Sequence, residues 1–268
     1  MKFIVQYNLI QEEQLQKIKK AVEKYPHQYV SMIPFSHDIN TLDEKPLVGT
    51  DFIPYGSTLM VETADNLKLK GVYFDINTFN YQAALDNRDD MLNSGLYTIR
   101  DAVELLKTQS KDKDWFTRPS ADLKQFSGRV ANTEVCLKYF GDALIGESSE
   151  ISKLTPETMI VLCEPQNIKA EYRWFVVDKK VVSGSMYRHS NQLFRERITD
   201  EKQIAEAQTF ADKWLPDDCC VMDLALVGDE VKVIEFNNIN GSGLYDNDAG
   251  AIFDALWINA NKEVSNVG

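Results

Sequence analysis

Asp223, Glu235 and Asn237 have the residue types and the spacing to hold a hard cation against phosphate. Asp223 interrupts the apolar run Val221-Met222-Asp223-Leu224-Ala225, and the other two lie in Val233-Ile234-Glu235-Phe236-Asn237-Asn238. Both runs read as buried strands joined around Gly228-Asp229 in a hairpin. A carboxylate in such a strand costs free energy unless it has a partner. Glu235 and Asn237 are two apart on one strand and so point to one face. All are oxygen ligands, which suits Mg2+ bridged to substrate phosphates. Register decides whether Asp223 joins them. A two-residue turn at Gly228-Asp229 sets Asp223 opposite Ile234, whereas a three-residue turn, Gly228-Asp229-Glu230, pairs Val227 with Val231 and sets it opposite Glu235. A metal site therefore predicts the three-residue turn, because one extra residue reverses the face. The alternative is a half-exposed hairpin whose polar residues face water. Asn240-Gly241-Ser242-Gly243 follows the second strand directly and offers backbone amides able to approach an anion.

Alternating strands and helices must position this hairpin. Phe3 to Tyr7 reads as a first strand, and Glu12 to Tyr25 as a helix with Leu15, Ile18, Val22 and Tyr25 on one stripe, ended by Pro26. Tyr29 to Ile33 and Pro46-Leu47-Val48 are short strand candidates; Pro54-Tyr55-Gly56-Ser57 is turn chemistry, with Ser57 an N-cap. The same turn could bring helix-end amides near a substrate anion, or be a plain loop-to-helix turn. This opening is a small α/β unit covering the first third. Thr98 caps a helix through Lys107, Trp115 to Pro119 is a strand, and Ser120 to Gly128 a polar loop or short helix. Then come strands at Thr158–Cys163, Tyr172–Val177 and Val181–Met186, a helix over Glu201–Leu215, the hairpin, and a closing helix over Asp248–Asn261.

Composition narrows the function classes. The 268 residues suffice for a full core, and no apolar run is long enough to span a bilayer. The N-terminus turns polar too soon for a signal peptide, so a soluble cytoplasmic protein is expected. A net charge of -12 argues against a duplex-binding protein, and the sequence shows no polybasic patch to hold an anionic membrane. Cys136, Cys163, Cys219 and Cys220 show no C-x-x-C spacing and read as buried thiols. His27, His37 and His189 show no partner pattern for nucleophilic catalysis. No Lys-x-Asp-Gly setting appears, as an adenylating end-joining ligase would need.

The order Asp223, Glu235-x-Asn237 and a small-residue loop resembles the ATP-grasp superfamily, whose last hairpin holds Mg2+ on the ATP phosphates. The resemblance extends upstream, over roughly residues 45 to 260. Val161-Leu162-Cys163-Glu164 fits the family's adenine hinge, Glu171 its ribose acid, and the backbone near Pro165 to Asn167 would face the adenine edge. Glu171-Tyr172-Arg173 fits the segment in which an acid and an arginine precede a strand pair. Arg173 would then point into the cleft, with Arg188 past the end of the second strand. Arg118 stands where many members carry a lysine, and Lys124 lies where a mobile phosphate-covering loop is expected. Arg118-Pro119, Lys124-x-Phe126-Ser127-Gly128 and Glu171-Tyr172-Arg173 together most resemble a phage and bacterial clade named for one arginine and two lysines. Lys124 takes one lysine position; Arg188 is a candidate for the other.

The resemblance implies an ATP-grasp fold (α/β, α+β) with a pre-ATP-grasp-like unit over residues 1–95 and the nucleotide and Mg2+ site in residues 96–268. It also implies an ATP-dependent, ADP-forming ligase that joins a small-molecule or peptide carboxylate to an amine through an acyl phosphate. In that scheme Asp223, Glu235 and Asn237 are metal ligands. Arg118, Lys124, Glu164, Glu171, Asn240 and Gly241 hold ATP, and Arg173, Arg188 and Lys124 offset the transferring charge. The alternatives on the same fold are a small-molecule kinase and a non-catalytic nucleotide-binding module. Nothing in the sequence marks an oligomer interface.

Overall fold

The computed structural model describes residues 1–8, 10–33, 36, 38–43, 45–121, 125–146, 154–190 and 192–265. The first unit contains β1 (Lys2–Gln6), α1 (Glu12–Val22), β2 (His27–Met32), β3 (Ile39–Thr41), β4 (Phe52–Tyr55) and α2 (Thr58–Asn66). Its sheet runs β3-β2-β1-β4, with β1 parallel to both neighbours. A central parallel strand is covered on both faces, and Phe3, Ile4 and Val5 are accordingly buried. α1 buries Leu15, Ile18, Ala21 and Val22 and ends before the expected Tyr25. The Pro46-Leu47-Val48 strand does not form; Pro46 makes only an isolated bridge to Asn40. Pro54, expected in a turn, lies inside β4, which an edge position permits because one side needs no N–H. Ser57 caps α2 as expected, its Oγ accepting from the Met60 N–H at 3.4 Å.

The second unit begins after α3 (Tyr81–Asn87). It comprises β5 (Leu96–Thr98), α4 (Ile99–Lys107), β6 (Asp114–Pro119), β7 (Arg129–Asn132), α5 (Thr133–Leu144) and β8 (Met159–Cys163). The antiparallel sheet runs β5-β8-β6-β7. α4 and α5 share a core with it through Val103, Leu106, Cys136, Phe140 and Leu162. Thr98 caps α4 as expected, accepting from the Asp101 N–H at 3.1 Å. α5 has no counterpart in the sequence reading. Its signals are Asn132, which accepts from the Val135 N–H at 3.0 Å, and the helical spacing of Cys136, Phe140 and Ala143.

The third unit is β9 (Ile168–Val177), β10 (Lys180–His189), β11 (Gln192–Arg197), α6 (Glu201–Lys213), β12 (Cys220–Val227), β13 (Glu230–Asn238) and α7 (Ala249–Ser265). Its sheet is antiparallel in the order β11-β10-β9-β12-β13. α6 packs Ala207 and Ala211 on Trp174, Met222 and Leu224 of one face. α7 packs Ile252, Phe253 and Leu256 against Phe175 and Val221 of the other face, and also against Phe3, Ile53 and Tyr55 of the first unit. One core therefore runs through both residues 1–95 and residues 96–268. The described residues form an α+β fold with seven α-helices and three sheets. Among them, no helix is long and apolar enough to cross a membrane.

Candidate active site

The hairpin reaches the face-sharing arrangement by an unexpected route. Val227 pairs with Glu230, so the turn is the two-residue Gly228-Asp229, not the expected three-residue turn. Leu224 pairs with Val233, yet Asp223 pairs with Glu235. Ile234 is the extra residue of a β-bulge, which returns the register that the turn alone would have lost. Gly228, at φ +60°, supplies the left-handed backbone of the turn.

Register then builds a polar row across the strands. Arg173 of β9 lies beside Asp223 of β12, which lies beside Glu235 of β13. Arg173 donates from Nε to Asp223 Oδ1 at 2.9 Å and from Nη2 to Oδ2 at 2.7 Å. Asn237 Nδ2 adds a bond to Asp223 Oδ2 at 3.2 Å. Burial pushes the Asp223 carboxyl upward, and the Arg173 guanidinium opposes that shift. Arg173 also donates to the Gly243 carbonyl at 3.2 Å and stacks over the Tyr245 ring at 4.8 Å. Tyr245 stacks in turn on Tyr187, with centroids 4.9 Å apart. Burial, with Asp223 and Glu171 nearby, drives the Tyr187 phenol well above its usual range.

Between this sheet and the β5-β8-β6-β7 sheet opens a cleft of about 560 Å3, within the range of nucleotide-sized pockets. Leu92, Phe116, Pro165, Gln166 and Ile168 provide its apolar and backbone wall. Arg118, Glu171, Arg188 and Glu235 bring charge to it. Arg118 of β6 pairs with Glu235 of β13 and so bridges the two sheets. Its guanidinium lies 5.1 Å from the Tyr81 ring centroid. Glu171 is buried and accepts from Arg188 Nη1 at 3.1 Å. Arg188 lies within β10, opposite Glu171, and not past the strand's end as expected.

The expected nucleotide and metal residues divide into those on the cleft and those engaged elsewhere. Arg118, Glu171, Arg188 and Glu235 line it. Arg173, expected to point into the cleft, is instead sandwiched by Asp223 and the two tyrosines on the row's buried side. Glu164 is exposed and pairs with Lys113 at 2.7 Å, outside the residues lining the cleft, although Pro165 and Gln166 beside it do line it. Asn240, expected near an anion, is wholly buried as a staple. Its Oδ1 accepts from the Tyr73 N–H at 2.9 Å, and its Nδ2 donates to the Pro54 and Gly71 carbonyls at 2.8 and 2.9 Å. The Gly241 N–H, likewise expected at an anion, donates to Asn238 Oδ1 at 2.7 Å. Lys124 lies outside the described residues. The sequence reading passed over Tyr187 and Tyr245. Tyr187 occupies a bulge in β10 and Tyr245 has φ +49°, and neither feature has a composition signal.

The donor set fits Mg2+ in kind, since Asp223, Glu235 and Asn237 all present oxygen and share a face. Among the described residues, however, no group of three or more His, Cys, Asp or Glu converges as a metal cluster. Asp223 gives both oxygens to Arg173, whereas Glu235 reaches the cleft. Glu235 is therefore the best placed of the three, while Asn237 is buried behind it and donates to Asp223.

Residues 97–255 match the family described as the ATP-grasp domain, R2K clade family 2. No curated protein matches the chain at the sequence level. Solved structures share its fold. The ATP-grasp ligase PsnB, complexed with a minimal precursor, has a TM-score of 0.53 at 15% identity, covering 97% of this chain and 98% of that one. The D-cycloserine synthetase DcsG has a TM-score of 0.61 at 10% identity, covering 98% and 99%. D-Alanine-D-alanine ligase from Helicobacter pylori has 0.57 at 15% identity, covering 97% and 98%. The family match takes in the second sheet, the cleft and the hairpin, and on that ground the chain belongs to the ATP-grasp proteins, in family 2 of the R2K clade.

Proposed function

We propose that the chain is an ATP-dependent ligase that joins a carboxylate to an amine and forms ADP through an acyl phosphate. The observation that carries this reading is the charged meeting of two sheets around the cleft. Arg118 comes from one sheet, and Glu235, Glu171 and Arg188 from the other. A nucleotide fits with its base against Phe116, Pro165, Gln166 and Ile168, and its ribose hydroxyls on Glu171. One structure of the same fold, PsnB with a phosphomimetic variant of its minimal precursor, was solved with Mg and ADP. Glu235, with Asn237 and Asp223 behind it, would hold Mg2+, which when bound offsets charge on the phosphates.

The chain's own residues supply position and field. Arg118 beside Glu235 and Arg188 beside Glu171 bring cationic groups to the cleft, where the γ-phosphate and the acid would meet. A carboxylate oxygen attacks the γ-phosphorus and ADP leaves. The amine nitrogen then attacks the acyl carbon, inorganic phosphate departs, and the nitrogen loses a proton. Asp223 fixes Arg173, and through it the Tyr187–Tyr245 stack that walls the site. No protein nucleophile takes part, consistent with catalysis by positioning and electrostatics.

Isothermal calorimetry of ATP with and without Mg2+, on wild type and Glu235→Ala, tests the site. Metal-dependent binding by wild type that the variant loses supports it; no metal-dependent binding by wild type overturns it. ADP release with panels of acids plus amines, set against alcohols, then separates ligase from kinase chemistry.

A further inference from the structure

A buried side-chain amide stands on the cleft at the end away from the polar row. It belongs to the segment 90–95, which crosses from one sheet to the other. Against β13, the Leu92 N–H donates to the Val233 carbonyl at 2.7 Å, and the Val233 N–H to the Asp90 carbonyl at 2.9 Å. Against β8, the Leu162 N–H donates to the Gly95 carbonyl at 2.8 Å. Residue 95 must be glycine for this approach, because a Cβ there would lie 2.2 Å from the Leu162 carbonyl oxygen. Asn93 sits between the two anchors, 4% exposed, and lines the cleft.

The neighbours of Asn93 set which way round its amide points. The Cys163 thiol donates to Asn93 Oδ1 at 3.1 Å. Burial pushes that thiol up to about 11, so it stays protonated, and therefore a donor, at neutral pH. The amide also approaches the phenol oxygen of Tyr81, whose own hydroxyl donates to the Ile234 carbonyl. An asparagine amide carries two N–H donors and two oxygen lone pairs. Cys163 takes one lone pair and Tyr81 at most one N–H, so one acceptor and one donor remain. Cys163 lies opposite Phe116 in register, and Phe116 with Pro165 and Gln166 makes the wall against which the base fits. Gln166 also brings a side-chain amide to the cleft, but it is exposed and donates to the Glu164 carbonyl at 3.2 Å.

We propose that Asn93 is the residue that selects adenine, its Oδ1 accepting from the N6 amino group of the base and its Nδ2 donating to N7. The inference rests on the ligase reading, in which the cleft takes ATP, and assigns the source of its base specificity. An acceptor beside a donor is the complement of the adenine N6–N7 edge, and Asn and Gln pair with adenine in this two-point manner. Guanine shows two acceptors, O6 and N7, along the same edge. With guanine, O6 would face Asn93 Oδ1, and a buried acceptor left unpaired costs free energy. Turning the amide over does not rescue guanine. Nδ2 would then meet O6, but Oδ1 would face N7 and the bond from Cys163 would be lost.

Calorimetry on the full chain with Mg2+ tests this with three nucleotides: ATP, GTP, and 7-deaza-ATP, which lacks the N7 acceptor. Wild type is expected to bind ATP at least about ten-fold more tightly than either analogue, the scale of one two-point contact to a base. Asn93→Ala is expected to lower ATP affinity about ten-fold and to leave the analogues within about two-fold of their wild-type values, so that all three bind alike. Circular dichroism checks that the variant is folded. Wild type that binds 7-deaza-ATP or GTP as tightly as ATP overturns the inference without recourse to any variant. A preference for ATP that survives undiminished in folded Asn93→Ala overturns it too. Either outcome leaves the ligase reading standing, because nucleotide is still bound. Absence of metal-dependent ATP binding by wild type overturns the ligase reading, and the inference falls with it.

Discussion

The two faces of the five-stranded sheet are made from the same strands and have opposite characters. On β9, Tyr172, Trp174 and Val176 turn toward α6, whereas Glu171 turns toward the cleft, Arg173 toward Asp223 and the Tyr187–Tyr245 stack, and Phe175 and Val177 toward α7. On β12, Met222 and Leu224 face α6 while Asp223 faces the row. Each face also contains a buried arginine–carboxylate pair. Behind the sheet Arg88 donates to Asp90 Oδ1 and Oδ2 at 2.8 and 2.9 Å, and to the Phe210 and Trp214 carbonyls at 2.7 and 2.8 Å. In front Arg173 clamps Asp223 in the same two-point manner but sits one residue position from a ligand-sized cleft. The Arg88 pair ties α3's exit to the end of α6. The Arg173 pair orders the wall of the site. The contrast is that a buried ion pair takes its role from its neighbours, not from its own geometry.

Breaking each pair should separate these roles. Arg88→Ala leaves Asp90 with Lys213 as its remaining cation but strands the Phe210 and Trp214 carbonyls, and is expected to cost about 3 kcal/mol in urea unfolding, with Mg-ATP binding kept at temperatures where the variant is folded. A loss of nucleotide binding in the folded variant would erase the distinction between the faces. Arg173→Met should instead reduce turnover in the proposed ligase reaction by about 10²-fold, the scale of displacing a wall that positions the reactants. Turnover within a few-fold of wild type would demote Arg173 to a structural group. Gly184 sharpens the back face, because a Cβ there would lie 2.2 Å from the Trp174 ring. Gly184→Ala is expected to destabilise by about 1–3 kcal/mol through overpacking, read as a lower melting temperature with unaltered ATP affinity.

The smallest effect concerns the helix that covers the front face. Asp254 of α7 bonds Lys24 and Tyr25 at 2.8 Å each. Although burial opposes it, these partners hold the Asp254 carboxyl below its usual range. A depressed folded-state value means that the stabilisation is present above the unfolded value of about 3.9 and is lost as pH falls through the folded value. Solvent screens the pair, so Asp254→Asn should cost only about 0.2–1 kcal/mol at neutral pH. The gap from wild type should close below about pH 4 in urea titrations. A gap that persists in acid would assign the effect to packing.

Much of the framework was legible because local chemistry dictated it. Thr98 and Ser57 capped the helices expected of them, and the apolar runs at Met159–Cys163, Cys220–Val227 and Glu230–Asn238 became strands. Several elements were missed, among them α3, β3, β5 and β7 as well as α5 and β11, and the last two show mixed or absent signals. α5 carries β-branched and aromatic residues that favour strands as much as helices, and β11 is exposed along its whole length, with no buried alternation to betray it. The Pro54 turn was misread because an edge strand tolerates proline, and edge position is not a local property.

The sequence by itself determined that Glu235 and Asn237, two apart on one strand, share a face, and that Asp223 in an apolar strand needs a partner; it left to register whether Asp223 joins them. It also determined the family, through the order of short segments from Arg118 to Asn237. Tertiary structure alone decided who those partners are. Hairpin register came from a bulge at Ile234 that no turn rule foretells. Arg173 reached Asp223 only because β9 pairs with β12 across 50 residues of chain. Asn240, whose small-residue loop suggested an anion site, became the bond between β4, the Gly71–Tyr73 segment and the hairpin. A residue's polarity is written in the chain, but its partner is set by which strands and loops fold against it, and that is a property of the packed whole.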